Sequence, residues 1–302
     1  MSTLGVVVNT KDAAQTLART LESVKFADQI VVVDMQSSDD TVKIASKYTD
    51  QIFSTPDVGY VEPARVMALS KVTADWTLVV DADEEIPETL RRYIEAVVAG
   101  TAGQPEAVVA FKLPRQNMML GKWLEHTGWW PDYVLRLFKT GKVNWPSQIH
   151  AQPQVDGQVI TLPANPEWAI VHHNYQSVSQ FVERVNRYTT IQASEQNLES
   201  ALASPLTSLF HELFRRLFLF EGYKDGRRGV TMSVLQSLSE AVRTAKLLEK
   251  AELLDEPIRP AELSQQTQEL IKELKYWQAD LMVDQTQGLT QVCWRLKRKF
   301  RL

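Results

Sequence analysis

The sequence predicts an α/β fold: a mainly parallel sheet with helices on both faces, followed by a helical C-terminal region. Residues 1–113 alternate short apolar, β-branched segments with amphipathic segments, which is typical of a buried sheet covered by helices. From about residue 177 apolar residues recur at helical spacing. The intervening stretch, 114–173, is rich in Trp, Gly and Pro. We therefore expect one domain over 1–175 and a second over 176–302.

The individual elements follow from these patterns. Strands are predicted at 4–8, 30–33, 52–53, 77–80 and 107–113, and shorter strands at 133–138 and 142–145. Asp12 is a candidate cap for a helix that ends near Val24, and Ser38 or Asp39 for the next helix. Further helices are predicted at 62–71 and 87–98, and in the C-terminal region at 177–200, 205–222, 227–250, 262–283 and 289–300.

Composition narrows the class of protein. The chain of 302 residues has a net charge of −4, which argues against a general nucleic-acid binder. Its single cysteine, Cys293, excludes an intrachain disulfide and fits a reducing compartment. We see neither a signal peptide nor an apolar run of the ~20 residues that span a bilayer. These features predict a cytoplasmic protein, with the inner face of the membrane as an alternative location.

Acidic residues follow two of the predicted strands. Asp81 and Asp83 come directly after the strand at 77–80, and Asp34 follows the strand at 30–33. Two carboxylates at i and i+2 on an extended segment point to one side, where they can hold Mg²⁺ or Mn²⁺ together with a substrate phosphate. Because ligands of such sheets bind beyond the carboxyl ends of the strands, this edge is the predicted site.

Several motifs resemble a known family. The segment from Ile30 to Asp34, followed by Ser37-Ser38-Asp39-Asp40-Thr41, is similar to the strand, Asp and Ser-x-Asp-x-Thr pattern of family 2 glycosyltransferases. Residues 74–84 resemble that family's Asp-x-Asp strand. The segments 113–117, 128–138 and 171–175 resemble the branch that includes lipopolysaccharide-core glucosyltransferases, with a role in building the cell envelope.

The resemblance implies a GT-A fold, a UDP-sugar donor, a divalent metal (Mn²⁺ or Mg²⁺) and inversion at the anomeric carbon. It implies that Asp34 contacts the donor's base, that Asp81 lies near the ribose and metal, and that Asp83 ligates the metal. Arg65 belongs to the same implied donor site. The expected activity is transfer of a hexose from a UDP-sugar to a hydroxyl of a glycan or a lipid-linked acceptor.

Other site residues are suggested by their own context. Asp132 is the candidate catalytic base, because it precedes a strand in an aromatic setting suited to a sugar ring. Glu84 and Glu125 are weaker alternatives for the base. Arg136 stands two residues past Val134, where one side of the strand can present it to phosphate. His150 and His172 are candidates for a third metal ligand or a contact to the diphosphate.

The C-terminal region offers two kinds of surface. The segment 209–218 has Leu and Phe on one face at helical spacing and charged residues, including Arg215 and Arg216, on the other. It is therefore either a helix docked on the catalytic domain or an interfacial helix on an anionic membrane. A helical seam, used within the chain or in a homo-oligomer, is predicted by the 4-3-4-3-4 spacing of Leu263, Thr267, Leu270, Leu274, Trp277 and Leu281. The tail 295–301 carries five positive charges and is a candidate for electrostatic membrane attachment.

Two other functions remain open. A sugar-phosphate nucleotidyltransferase also uses carboxylates and metal, although the Gly-rich, Lys-bearing phosphate loop expected near the first strand is missing from the sequence. A non-catalytic glycan-binding or scaffold protein derived from a transferase is the third reading. It is suggested by Val66 where the family commonly has Asn after Arg65, and by Ala151 where Glu is frequent after His150.

Overall fold

A computed structural model describes residues 1–146, 152–195 and 204–300. The chain forms two compact units. The first comprises Met1–Trp123 and Trp130–Asn174, and the second comprises Leu124–Trp129 and Tyr175–Leu302. Whereas the sequence predicted one boundary at 175, the short segment Leu124–Trp129 belongs with the helices. His150 and Ala151 lie outside the described residues.

Within its described residues, the first unit contains the strands and four α-helices. The strands are β1 (Leu4–Thr10), β2 (Gln29–Asp34), β3 (Ile52–Ser54), β4 (Trp76–Asp81), β5 (Glu84–Glu85), β6 (Val108–Met119), β7 (Lys122–Trp123), β8 (Asp132–Lys139), β9 (Val143–Asn144), β10 (Gln154–Val155), β11 (Gln158–Thr161) and β12 (Ile170–His172). The helices are α1 (Leu17–Ser23), α2 (Thr41–Ala45), α3 (Glu62–Leu69) and α4 (Glu88–Val98).

The main sheet has the strand order β3-β2-β1-β4-β8-β6-β12-β5. The strands β3, β2, β1 and β4 run parallel, so their carboxyl ends meet at one edge. Beyond them β8 runs antiparallel to both β4 and β6, while β12 returns parallel to β6. The sheet is thus parallel from β3 to β4, where the sequence patterns described it best, and mixed from β8 to β5.

Alternation along the strands divides the core between the two faces of the sheet. Val6, Val8, Leu78 and Val80 face a cluster that includes residues of α1, α2 and α4. Val7, Val31, Val33 and Val79 face a second cluster that contains residues of α3. These strand residues are almost fully buried, as expected for a sheet covered on both faces. The predicted α/β architecture therefore holds.

Two elements of the first unit differ from the prediction. Asp12 does not cap a helix: its backbone is left-handed with φ +46°, α1 begins five residues later, and its carboxylate accepts hydrogen bonds from Ser38. The Ser38 backbone N–H is the main reason that the pKa of Asp12 is lowered. The strand β6 runs to Met119 rather than to Leu113, because its end pairs with β7 and β12.

The second unit is helical. Its α-helices are α5 (Val178–Glu195), α6 (Pro205–Phe214), α7 (Gly226–Lys250), α8 (Pro260–Gln285) and α9 (Gly288–Phe300). A π-helical turn, Arg215–Leu219, and a 3₁₀ turn, Gly222–Asp225, connect α6 to α7. Among the described helices we find none that is both long and apolar enough to cross a bilayer.

The aromatic face predicted at 209–218 is used inside this unit. The ring of Phe214 contacts those of Phe210 and Phe218. The Phe218 ring in turn stacks on Trp277 of α8, with the ring centroids 5.9 Å apart. Phe214 is buried. The aromatic face is therefore a packing surface of the helical unit itself. The predicted seam of α8 contributes to the same packing through Trp277, whereas Leu263 and Leu274 remain exposed.

The segment Leu124–Trp129 is attached to the helical unit by hydrogen bonds. The Asp225 carboxylate accepts from the backbone N–H of His126 at 2.8 Å. The backbone N–H of Thr127 donates to the carbonyl of Phe220 at 2.9 Å, and Arg216 donates to the carbonyl of Thr127. No sequence pattern predicted this attachment, because each bond joins residues about ninety positions apart.

Candidate active site

The ends of three parallel strands bring the predicted donor-site residues together. In the register of the sheet, Thr10 of β1 stands beside Asp34 of β2, and Asn9 stands beside Asp81 of β4. Adjacent strands lie about 4.8 Å apart, so the backbones of Asp34 and Asp81 are roughly 10 Å apart with β1 between them. The two acids predicted from separate motifs therefore belong to one edge.

Buried polar groups at this edge lack partners within the described residues. The Asp34 Oδ2 atom accepts the backbone N–H of Ser37 at 3.0 Å, but its buried Oδ1 atom accepts no hydrogen bond from the described chain. The same holds for the side-chain polar atoms of Asn9 and for Thr10 Oγ1. Buried polar groups are normally hydrogen-bonded. Donors and acceptors without a partner at this edge therefore suit the binding of a polar ligand such as a nucleoside.

Asp81 is enclosed by arginines. Arg65 of α3 donates to its Oδ1 at 2.9 Å, and Arg136 of β8 donates to its Oδ2. Burial opposes the ionised form of Asp81, but the charges of Arg136, Arg65 and Arg115 outweigh it and hold the pKa far below its usual range. Arg65 also lies against the ring of Trp145, with its guanidinium carbon 4.8 Å from the ring centroid.

Glu84 completes a charge-balanced cluster behind Asp81. Its side chain is fully buried and accepts from Arg115 at 3.0 Å and from Arg136 at 2.8 Å. The remaining oxygen accepts the Asp81 backbone N–H at 2.9 Å. Because burial in this form supports a structural role, Glu84 is a poor candidate for the base. Glu125, the other weaker candidate for the catalytic base, lies in the segment Leu124–Trp129, which belongs to the helical unit.

This cluster changes two of the predicted roles. Arg136 was expected to face phosphate, but its guanidinium is directed at the carboxylates of Asp81 and Glu84. Asp81 was expected as a metal ligand, but each of its oxygens is already bonded to an arginine. A divalent cation on Asp81 would stand beside two guanidinium groups and be repelled by them. The arrangement supports Asp81 and Arg136 as residues that organise the strand end.

Asp132, the candidate base, is held at the start of β8. It stands directly opposite Arg115 of β6, which donates to its Oδ2 atom from Nε at 2.8 Å and lies 2.7 Å from it through Nη2. Asn117, on the same side of β6, donates to Oδ2 at 2.9 Å. Within the described residues these bonds all end on Oδ2, which leaves Oδ1 to accept a proton from a substrate hydroxyl.

A chain of hydrogen bonds leads from Asp132 to His172. Asn117 Oδ1 lies 2.6 Å from His172 Nδ1, since Asn117 and His172 are paired across β6 and β12. The carboxylate of Asp132 can only accept, so it fixes the amide nitrogen of Asn117 toward itself and the amide oxygen toward His172. The amide oxygen of Asn117 can likewise only accept a hydrogen bond, so the ring nitrogen that it contacts must donate. The hydrogen-bond pattern therefore assigns the ring proton of His172 to Nδ1.

The other ring nitrogen of His172 faces Asp83. Nε2 lies 3.5 Å from Asp83 Oδ1. If His172 carries a second proton on Nε2, the two groups form an ion pair. In the neutral Nδ1–H tautomer both atoms are acceptors, and a cation between them would satisfy both. Ligands about 2.1 Å from one octahedral Mg²⁺ are roughly 3 Å apart, so this pair fits two neighbouring positions of a divalent metal. Asn117 supplies the second hydrogen bond that metal-binding histidines usually make.

The remaining ligands would come from outside the described chain. No group of three or more His, Cys, Asp or Glu residues that could hold a metal occurs within the described ranges. Mg²⁺ and Mn²⁺ in such enzymes nevertheless often take only one or two protein carboxylates, with water and substrate phosphates in the other positions, so Asp83 beside His172 would supply part of such a site. His150, the third predicted ligand, lies outside the described residues.

A cavity of about 850 Å³ opens beside Asp81. Its lining includes basic and aromatic side chains that belong to the first unit: Arg65, Lys112, Arg115, Tyr133, Arg136 and Trp145. Aromatic faces beside hydrogen-bonding groups suit a sugar ring. Sequence reasoning missed the contributions of Arg115 and Asn117. The signal that would have found them is their i, i+2 spacing, which places both on one side of an extended β6.

Comparisons with known proteins point to one family. Residues 5–153 match the model of glycosyl transferase family 2. An uncharacterised glycosyltransferase of Rickettsia felis is 26% identical over 261 residues, which cover 82% of this chain and 90% of the relative. The lipopolysaccharide core biosynthesis glycosyltransferase LpsC of Rhizobium meliloti is 23% identical over 257 residues, covering 80% and 90% of the two chains.

Solved structures show more distant likenesses. Residues 1–349 of S. aureus TarS align with 83% of this chain and 92% of that chain at 14% identity and a TM-score of 0.39. Glucosyl-3-phosphoglycerate synthase from Mycobacterium tuberculosis, solved with Mn²⁺ and UDP-glucose, aligns with 37% of this chain and 43% of its own at 20% identity, with a TM-score of 0.30. These likenesses are too distant to carry an argument about this chain's ligands.

The sequence comparisons and the α/β fold both point to a glycosyltransferase. The family match accounts for the α/β architecture, so the predicted GT-A fold with a helical C-terminal region is confirmed. The relatives bear the name of a transferase over four-fifths of this chain. The chain accordingly carries a glycosyl transferase family 2 domain over residues 5–153, and its relatives support a transferase.

Proposed function

We propose that this protein transfers a hexose from a UDP-sugar to a hydroxyl of a glycan or lipid-linked acceptor, with the aid of Mn²⁺ or Mg²⁺ and with inversion. The observation that carries the proposal is the linked arrangement of Asp83, His172, Asn117 and Asp132. It joins a pair of groups suited to a metal to a carboxylate suited to a base. Both belong to the unit that carries the family match.

The donor's nucleoside would bind at the ends of β1 and β2. Asp34 Oδ1, Asn9 and Thr10 supply buried acceptors and donors there. Satisfying such groups with a ligand recovers the cost of burying them unpaired, which is about 1–3 kcal/mol for each group. Arg65 and Arg136 would support this edge by fixing Asp81 rather than by binding the donor themselves.

Asp83 and His172 would hold the metal, which when bound neutralises the charge of the departing nucleoside diphosphate. Asp132 would take the proton from the acceptor hydroxyl as that oxygen attacks the anomeric carbon. Arg115 and Asn117 hold one oxygen of Asp132 and so orient the other. Inversion follows when the base and the leaving group stand on opposite faces of the sugar.

The sequence relatives give the acceptor its proposed class. The named relative LpsC acts in lipopolysaccharide core biosynthesis, so we propose an envelope glycan or lipid-linked acceptor for this chain as well. A lipid-linked acceptor would place the enzyme at the inner face of a membrane. The chain is proposed to reach that surface as a peripheral protein.

Release of UDP from a panel of UDP-sugars, with and without Mn²⁺, tests the proposal without knowledge of the acceptor. We expect slow hydrolysis of at least one donor that depends on the metal. The substitution Asp83→Asn should lower that rate by about 100-fold or more, because it removes a charged ligand of the metal. Lys25→Gln, which removes an exposed charge of the same unit outside the cavity beside Asp81, is the control.

Each other function predicts a different result. A nucleotidyltransferase would consume a sugar phosphate and a nucleoside triphosphate and release pyrophosphate instead of UDP. A non-catalytic protein would bind a donor without turnover. Full activity of Asp83→Asn would contradict the metal assignment even if UDP is released.

A further inference from the structure

The helix α9 carries an apolar stripe that the described part of the protein does not cover. Leu289, Val292, Leu296 and Phe300 are exposed by 86%, 48%, 51% and 59%. They are spaced three, four and four residues apart, so on a helix of 3.6 residues per turn they fall within an arc of about 80°. Four large apolar side chains thus form one continuous exposed surface.

The opposite side of α9 attaches the helix to α8. Arg298 pairs with Asp280 at 2.6 Å, and the side-chain amide of Gln291 donates to the carbonyl of Val283 at 3.0 Å. On the helical wheel these two residues lie about 160° and 140° from the centre of the apolar stripe. The contacts that hold α9 therefore present its apolar stripe away from α8.

Exposed cations border the stripe on both sides. Arg295 and Lys299 lie along one edge and Lys297 along the other, and each is exposed. No acidic residue follows Asp284 in the sequence. Of the described residues in this stretch, only Arg298 has its charge paired by an acid. The surface is therefore apolar at its centre and cationic at its margins.

We propose that this surface of α9 binds an anionic lipid bilayer. The four apolar side chains would enter the boundary between head groups and acyl chains, and the three exposed cations would meet the lipid phosphates. Charge complementarity decides between this occupant and a second copy of the chain. Two copies that paired through this stripe would bring their bordering cations together with no acid on either helix to neutralise them.

The proposal deepens the membrane contact in the proposed function by naming the surface, but it does not depend on catalysis. Cosedimentation of the full chain with vesicles tests it. We expect binding to phosphatidylcholine vesicles that contain phosphatidylglycerol, and at least about tenfold weaker binding to pure phosphatidylcholine. Replacing Arg295, Lys297 and Lys299 together by Gln should weaken binding to the anionic vesicles on the order of 100-fold, because each cation contributes about fivefold.

A second variant tests the apolar stripe. Leu296→Asp should lower vesicle binding by about tenfold or more. Leu254→Asp, which changes a somewhat more exposed leucine outside α9, should leave it unchanged. The lone cysteine, Cys293, is exposed beside the stripe and allows an environment-sensitive dye to report insertion. A blue shift of the dye on anionic vesicles is expected.

Equal binding by wild type and both charge and stripe variants would overturn the proposal. So would a dimer in solution that Leu296→Asp dissociates, since that result assigns the stripe to a second copy. Metal-dependent UDP release in the absence of vesicles should be the same in Leu296→Asp and wild type. That assay separates failure of the membrane surface from failure of the proposed reaction.

Discussion

At the scale of single residues, the site depends on which side chain is bonded to which. Asp81 and Asp83 are two positions apart, yet the first is held by Arg65 and Arg136 while the second faces a ring nitrogen of His172. A motif of two acids does not distinguish these roles. The partners decide them, and they come from α3, β8 and β12.

The sequence located the acids but not their partners. Asp34 and Asp81 could be placed at strand ends because apolar runs lead directly into them. The bonds of Asp81 to Arg136 and of Asp132 to Asn117 join residues 55 and 15 positions apart and depend on the sheet order, which local patterns do not contain. For this reason Arg136 was assigned to phosphate, and Asn117 was given no role.

Asn117 provides the sharpest residue-level prediction. Replacement by Ala removes the bond that fixes the Nδ1 proton of His172, so we expect Mn²⁺ affinity to fall by about 10- to 100-fold. Calorimetric titration of Mn²⁺ in the presence of UDP measures this directly. Gln116→Ala, one position away with its side chain on the other side of β6, should bind Mn²⁺ as wild type does. Unchanged affinity in Asn117→Ala would refute the proposed link.

At the scale of elements, α7 depends on one small residue. A Cβ atom added at Gly229 would lie 1.9 Å from the carbonyl oxygen of Gly222, which belongs to the 3₁₀ turn before the helix. Both glycines are buried. Since the neighbouring atom belongs to the backbone, it cannot be relieved by a change of rotamer. Only glycine therefore allows this close approach of turn and helix.

We expect Gly229→Ala to destabilise the helical unit despite the higher helix propensity of alanine. The gain from propensity is about 1 kcal/mol, and the cost of overpacking is typically about 1–3 kcal/mol and occasionally more. Chemical denaturation followed by circular dichroism gives the free energy of unfolding. Val230→Ala, at the next, exposed position of α7, serves as the control. Stabilisation by Gly229→Ala would show that the turn moves away without cost.

At the scale of the whole molecule, charge is distributed unevenly along the chain. Five of its 33 cationic residues and none of its 37 acidic residues follow Asp284, so residues 1–284 carry a net charge of −9. An anionic surface would repel most of the chain and attract its C-terminal stretch. This asymmetry gives the proposed lipid contact a preferred orientation, and salt should weaken it.

Binding of the donor's nucleotide should increase the free energy of unfolding of the protein. A ligand at 100 times its Kd adds about 2.7 kcal/mol to the free energy of unfolding. We expect UDP with Mn²⁺ to raise the Tm of wild type and of Asp132→Asn, whose substitution leaves the proposed metal ligands in place. Asp83→Asn should lose the part of the shift that requires Mn²⁺. Differential scanning calorimetry with UDP alone is the reference, and an identical shift in all three proteins would count against the metal site.

The attachment of residues 124–129 to the helices also limits how segments can be exchanged between relatives by recombination. A single genetic crossover near residue 175 would pair this short segment with a foreign set of helices that lacks its bonding partners at Arg216, Phe220 and Asp225. Recombination between relatives would therefore have to inherit both pieces from the same parent. We expect hybrid proteins that carry only the C-terminal half of another relative to fold poorly unless this hexapeptide travels with it.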